Sequence, residues 1–162
     1  MKTREQRLRE TVGALAAIGR RLSSSLEDEV DTFPLTPADA ASDDHALTKS
    51  LDAFLQRFNQ MLDHMLRKLF PRVQAAIAAS DELLTVRELL ENLHRASVIA
   101  DVQSWLELIE VRNRLTHEYA LDSIERAAAL NDAWHRAPML LDQLERTQRY
   151  ILQHRLVGET GS

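Results

Sequence analysis

The sequence predicts an all-α protein, an antiparallel bundle of about five helices. Leu, Ala, Glu and Arg are abundant, whereas only four Gly and four Pro occur in 162 residues. The former residues favour helices, and Gly and Pro disfavour them. Apolar residues also recur at intervals of three and four along most of the chain, which is the period of an amphipathic helix. We expect one domain over residues 1–157 and a frayed tail over residues 158–162.

The composition limits the class of protein further. Cysteine is absent, which excludes a disulfide framework and a thiolate metal site. The amino terminus lacks the apolar run of a signal peptide, and no stretch reaches the roughly 18 apolar residues of a membrane span. We therefore expect a cytoplasmic protein without membrane association. The formal net charge of -5 disfavours a surface that coats nucleic acid broadly, so an RNA substrate would be bound locally.

The first helix is predicted from about residue 4 to residue 26. Its apolar stripe comprises Leu8, Val12, Leu15, Ile18, Leu22 and Leu26. Residues 27–44 then contain two prolines and many acids, which predicts a long acidic loop between the first two helices. Two interpretations of this loop stay open: it is disordered, or it covers a basic cleft.

The second helix is predicted to begin near Asp43 and Asp44 and to carry a wide apolar face as far as Phe70, typical of the centre of a bundle. Pro71 interrupts this pattern. The following residues 73–79 either continue after a kink or form a short separate helix. A third helix is predicted to begin at Thr85, which has the spacing of a capping box with Glu88, and to reach about residue 96.

Two further helices complete the predicted bundle. Asp101 is a candidate cap for the fourth, whose apolar side comprises Val102, Trp105, Leu108, Ile109 and Leu115. Asp122 or Ser123 begins the last helix, in which Pro138 is a candidate for a bend.

The end of the fourth helix carries the densest cluster of reactive side chains, namely Glu110, Arg112, Asn113, Arg114, His117, Glu118 and Tyr119. An imidazole can take or give a proton near pH 7, and a guanidinium can hold a phosphate and stabilise the charge that develops on it. These are the requirements of RNA cleavage without a metal. There a base activates the ribose 2′-hydroxyl, cations stabilise the phosphorane and an acid protonates the leaving 5′-oxygen.

Helical geometry constrains the two central residues of this cluster. At about 100° per residue, Arg112 and His117 lie about 140° apart on an ideal helix. Either the helix ends or distorts between them, or a two-fold dimer brings two copies of the cluster into one groove. We favour the dimer, because it doubles the number of Arg and His side chains in the groove.

A structural interpretation of the same residues also stays open. Arg and His near the carboxyl end of a helix interact favourably with its dipole and can cap its last carbonyls. A metal site is not expected, because the six histidines are scattered and no two have the spacing that places both on one helix face. Arg67, Lys68 and Arg72 form a small basic cluster that we interpret as a solvated helix face.

Residues 112–119 resemble the signature of the HEPN superfamily, and within it the HepT-like toxins and the related substrate-binding partners of minimal nucleotidyltransferases. That signature is an Arg, a polar residue that is usually Asn, three further residues, a His, any residue and a Tyr. Arg112, Asn113, His117 and Tyr119 occupy these places. The resemblance extends to the preceding helix with Trp105 and to the general order of helices.

The resemblance implies a metal-independent endoribonuclease toxin that needs no cofactor and acts on RNA as a homodimer. Arg112 would bind and stabilise the scissile phosphate, His117 would be the general acid or base, and Asn113 would orient the phosphate or the imidazole. A minimal nucleotidyltransferase antitoxin would inactivate the toxin by transferring AMP to Tyr119. The added negative charge would repel RNA from the phosphate site.

Arg114 has no assigned place in the signature. It is a candidate RNA contact, but we favour an ion pair with Glu110 four residues earlier. Two other functions stay open for the whole chain. One is a non-catalytic substrate-binding subunit of a two-component nucleotidyltransferase, and the other is a purely structural helical bundle.

Overall fold

The structure, a computed structural model, describes residues 1–117 and 121–158. These residues form an all-α bundle without a β-strand among them, which confirms the predicted fold class. No helix within these ranges combines the length and the apolar character needed to cross a membrane. The helices are α1 (Arg4–Asp28), α2 (Pro37–Ala40), α3 (His45–His64), α4 (Phe70–Ala78), α5 (Val86–Arg95), α6 (Gln103–Thr116) and α7 (Ser123–Gln153).

The core lies where α1, α3 and α7 pack together. Most of the predicted stripe of α1 is buried, with Val12 and Leu26 partly buried at its margins. The wide apolar face of α3 is buried as predicted. The largest fully buried side chains include Trp105, Phe54, Phe58, Phe70, Met61, Leu62 and Met65. Removing this much apolar surface from water is the dominant favourable term in the folding of the bundle.

Side-chain caps fix the beginnings of several helices. The predicted capping box of α5 is present, with the Glu88 amide donating to Thr85 Oγ1 and the Thr85 amide donating to Glu88 Oε2. The Asp44 carboxylate accepts from the amide of Leu47 at the start of α3. Asp122, rather than Ser123, is the N-cap of α7. Each cap satisfies an amide that the first turn leaves without a helical partner.

Pro71 does not break the second predicted helix. A π-helical segment, Met65–Leu69, follows α3 directly and leads into α4, where Pro71 lies in the first turn. A proline ring clashes with the carbonyl four residues earlier in a regular α-helix, and a wider π turn changes that spacing. The continuous helical rod formed by α3, the π-helical segment and α4 ends at Ala79. Ala79 has a left-handed φ of 50° and donates its amide to the Ala75 carbonyl.

The acidic segment after α1 is more ordered than the sequence predicts. Helix α1 continues through Asp28, and Pro37–Ala40 form the single turn α2. Phe33 is buried and stacks on Trp134 of α7, with ring centroids 4.1 Å apart. The Asn131 side chain accepts from the amide of Leu35 and donates to its carbonyl. The segment is therefore held against α7 at Phe33 and Leu35.

The end of the described chain also contacts α1. Arg155 adopts a left-handed φ of 51°, which turns the chain after α7. The Gly158 amide donates to Glu5 Oε1 at 2.8 Å, and Arg9 donates to the Gly158 carbonyl. These contacts anchor the first residue of the predicted tail. The remaining residues, 159–162, lie outside the described ranges.

Candidate functional site

Helix α6 presents the reactive cluster because its other side is held in the core. Trp105, Leu108, Val111 and Leu115 are buried along α6. Trp105 meets Phe70 edge-on, with ring centroids 4.8 Å apart. This packing fixes the rotation of the helix. The intervening polar residues, including Arg112, Asn113 and Arg114, are left partly or fully exposed.

The helix ends between the two central residues of the cluster. Thr116 is its last residue, and His117 is the C-cap with φ -106° and ψ 32°. The Thr116 hydroxyl donates to the Arg112 carbonyl at 2.9 Å, one turn earlier on the same helix. The backbone of His117 therefore departs from helical geometry, so the helix does end between the two residues, which is one of the two alternatives that the sequence left open.

Arg112 meets an aspartate from another helix. Its Nη1 lies 2.5 Å from Oδ1 of Asp63 on α3. Its Nη2 lies 3.5 Å from Oδ1 of Asn113, a long and weak contact. The side chains of Arg112 and Asp63 are 21% and 39% exposed, so the pair lies at the margin of the core. Asn113 thus lies beside the Arg112 guanidinium, whereas its predicted role is to orient the phosphate or the imidazole.

Arg114 belongs to a second group of charges, between α6 and α7. Its Nη2 lies 2.9 Å from Oδ2 of Asp132. Asp132 Oδ1 also accepts from Arg136 Nε at 2.6 Å, and Arg136 Nη1 lies 2.8 Å from Glu107 Oε2. The hydrogen bond with Asp132 is the main cause that raises the pKa of Arg136 above its ordinary value. These four residues join the two helices by alternating charges.

The predicted ion pair between Arg114 and Glu110 is wrong. Arg114 instead pairs with Asp132, which lies 18 residues further along the chain. Pairs four residues apart on a helix surface contribute only about 0.2–0.5 kcal/mol. A carboxylate from a packed neighbouring helix can therefore displace the local partner when it is better placed.

Tyr119, the predicted acceptor of AMP, lies outside the described residues, as does Glu118. His117 is described and is exposed. Among residues 1–117 and 121–158, no three His, Asp or Glu side chains converge in a way that could hold a metal ion. The described part of the reactive cluster includes the guanidinium of Arg112 and the imidazole of His117.

Sequence reasoning missed Asp63. A signal was present, because Asp63 and its neighbour His64 interrupt the apolar residues between Met61 and Leu66, near the end of a helix with a wide buried face. A charged side chain in such a stretch is usually paired. The pattern alone could not name its partner, which lies 49 residues away.

No family model, curated protein or solved structure matches this chain. The resemblance to the HEPN superfamily thus depends on residues 112–119 and on the helical order around them. Two structural features involve this segment, namely the end of α6 at Thr116 and the contact between Arg112 and Asp63.

Proposed function

We propose that this chain is a metal-independent endoribonuclease toxin that acts as a homodimer in the cytoplasm. The supporting observation is the position of Arg112 and His117 at the exposed end of α6, where the helix stops at Thr116. A guanidinium and an imidazole close to a helix end form an accessible site for a phosphodiester.

The reaction follows from the chemistry of these side chains. Asp63 occupies Nη1 of Arg112, which leaves the Nε and Nη2 side of the guanidinium to bind the nonbridging oxygens of the scissile phosphate. A neutral imidazole takes the proton of the ribose 2′-hydroxyl as the bond from that oxygen to phosphorus forms. A protonated imidazole gives its proton to the 5′-oxygen as the bond from phosphorus to that oxygen breaks.

The need for both a base and an acid supports the homodimer. His117 is the single histidine of residues 110–119, and one imidazole cannot be neutral and protonated at the same time. Two copies of His117 in a shared groove, related by a two-fold axis, would supply both forms. The two copies of Arg112 would then flank the same phosphate.

We further propose that a minimal nucleotidyltransferase antitoxin controls the toxin by transferring AMP to Tyr119. The resemblance of residues 112–119 to the HepT-like signature supports this proposal. Tyr119 follows His117 by two residues, so a phosphate ester on its oxygen would place negative charge close to the catalytic imidazole. Such charge repels RNA and competes for the guanidinium.

One observation favours a second function. The carboxylate of Asp63 neutralises much of the charge that Arg112 would offer to RNA. A helical subunit that only presents a substrate, or its own Tyr119, to a nucleotidyltransferase has no need of a free cation. The alternative is therefore a non-catalytic substrate-binding subunit of a two-component nucleotidyltransferase.

Induced expression in bacteria separates the two functions. Growth and total RNA would be compared for the wild type, Arg112→Ala and His117→Ala. His135→Ala is the matched control, since His135 is an exposed imidazole on α7 outside the cluster. We expect growth arrest and cleaved RNA with the wild type and His135→Ala only.

Two results would contradict the ribonuclease proposal. Arrest by His117→Ala equal to that of the wild type would show that the imidazole is not needed. An absence of arrest with every variant, with each protein folded and expressed, would favour the substrate-binding subunit. That function also predicts a stable complex with a nucleotidyltransferase.

A further inference from the structure

Asp63 is the carboxylate that contacts the guanidinium of the motif, and it comes from a different helix. It lies on α3, 49 residues before Arg112, and pairs with it at 2.5 Å. We infer that Asp63 is a positioning residue that holds the Arg112 guanidinium in the orientation in which it receives the scissile phosphate. This inference rests on the proposed ribonuclease function.

The backbone that carries Asp63 is fixed by the core. Leu62 before it and Met65 two residues after it are fully buried. The π-helical segment begins at Met65 and continues the same rod. The Asp63 carboxylate is therefore attached to one of the most constrained parts of the molecule, and it can act as a fixed point for a long side chain from another helix.

An arginine side chain gains from such a fixed point. A free arginine side chain samples many rotamers, and part of that entropy is lost when it binds a phosphate. Pairing with Asp63 removes much of this freedom before RNA arrives, so the donors are oriented in advance. The pair uses Nη1 of Arg112. The Nε and Nη2 donors lie along the other edge of the guanidinium, where Nη2 makes the long contact of 3.5 Å with Asn113 Oδ1, and that edge matches two phosphate oxygens.

The same carboxylate has an opposing effect on binding. Its negative charge lies next to the position of the RNA phosphate and weakens the attraction of RNA in the ground state. Asp63 should therefore raise kcat through orientation while it also raises KM through repulsion. A residue that only stabilises the fold would not produce this combination.

The test is the steady-state cleavage of one RNA oligonucleotide by wild type, Asp63→Asn and Asp63→Glu. Asp63→Asn removes the charge and keeps the shape. We expect its kcat to fall by about 10- to 100-fold, because a small misplacement of a positioned group costs up to that factor. We expect its KM to fall or to stay unchanged. Asp63→Glu restores the carboxylate and should recover a large part of kcat.

Asp81→Asn is the matched control. Asp81 also pairs with an arginine of another element, Arg4 at 3.0 Å, and lies in the turn after α4, 18 residues beyond Asp63. We expect its kcat and KM to equal those of the wild type. Urea unfolding of each variant shows how much folded protein each assay contains.

The outcomes distinguish this inference from the function on which it rests. A wild type that cleaves RNA together with an Asp63→Asn variant of equal kcat and KM overturns the inference alone. The inference also fails if the loss of kcat only matches the loss of folded protein, or if Asp63→Glu recovers nothing while folded. A wild type that cleaves no RNA overturns the proposed function, and the inference with it.

Discussion

Arg112 and Arg114 lie two residues apart on the same helix, and each contacts an aspartate from another part of the chain. Among the described residues, Arg112 pairs with the carboxylate of Asp63, and its side chain is 21% exposed. Arg114 is 43% exposed, and its partner Asp132 is shared with Arg136. An ion pair alone therefore does not reveal the role of an arginine. In the proposed function Arg112 binds the RNA phosphate, whereas Arg114 belongs to a group of charges that joins α6 to α7.

The largest expected difference between the two arginines is in the rate of RNA cleavage. Arg112→Ala removes the donors that stabilise the phosphorane, and the loss of such a group lowers kcat by roughly 10²- to 10³-fold. Arg114→Ala should leave kcat close to that of the wild type, because Arg114 is engaged by Asp132. Arg112→Lys keeps the charge but loses the planar fork, and it should lie between the two. Equal losses in both alanine variants would contradict this division and would make Arg114 an RNA contact.

A smaller difference is expected in the free energy of unfolding. Here the loss of the aspartate that pairs with Arg114 should cost more than the loss of the aspartate that pairs with Arg112. Asp132→Ala leaves Arg114 without its carboxylate and breaks one of the two contacts of Arg136. The free energy of unfolding should fall by about 1–2 kcal/mol, as for a charged hydrogen bond within a network. Asp63→Ala breaks one partly exposed pair and should cost less than about 1 kcal/mol. Urea unfolding at pH 7 measures both, and a larger loss in Asp63→Ala would reverse the comparison.

The smallest effect on the free energy of unfolding is expected from a change at the amino-terminal end of α6, the helix that carries both arginines. Asp101 Oδ1 accepts from the amide of Ser104 at 2.7 Å, and Oδ2 accepts from its hydroxyl at 3.0 Å. Asp101 lies one residue before the N-cap, Val102. Asp101→Ala removes its two hydrogen bonds with Ser104 and should lower stability by about 0.5–1 kcal/mol. Asp101→Asn keeps an acceptor and should be nearly neutral at pH 7.

The hydrogen bonds between Asp101 and Ser104 also make the stability of the protein depend on pH in a defined direction. The hydrogen bonds from Ser104 lower the pKa of Asp101 below its usual value. A depressed pKa in the folded state means that the carboxylate stabilises the fold above the pKa of the unfolded chain. That stabilisation is lost as the pH falls through the folded pKa. The difference in stability between wild type and Asp101→Ala should therefore shrink in acid, and a difference that grows in acid would contradict the assignment.

Features that depend on neighbouring residues were predictable from the sequence. The Thr85 and Glu88 capping box, the Asp122 cap and the buried stripe of α1 all follow from spacings of three and four. Each of these depends on residues that share one or two turns of helix.

Features that depend on which helices become neighbours were not predictable. Phe33 is an aromatic residue within an acidic segment, and only the position of Trp134, about 100 residues later, shows that it is buried. The partner of Asp63 could not be predicted for the same reason, because Arg112 lies on a different helix, α6. A periodic pattern gives the buried face of a helix but does not identify the helix against which that face packs.

The central claim is that Arg112 and His117 cleave RNA through the 2′-hydroxyl without a metal. The most direct test uses purified protein in excess EDTA and compares an RNA substrate with the same oligonucleotide carrying a single 2′-deoxyribose at the mapped cleavage position. We expect products with a 2′,3′-cyclic phosphate and a 5′-hydroxyl from the RNA, and no cleavage at the 2′-deoxyribose. Equal cleavage of both oligonucleotides, or cleavage that EDTA abolishes, would contradict the account.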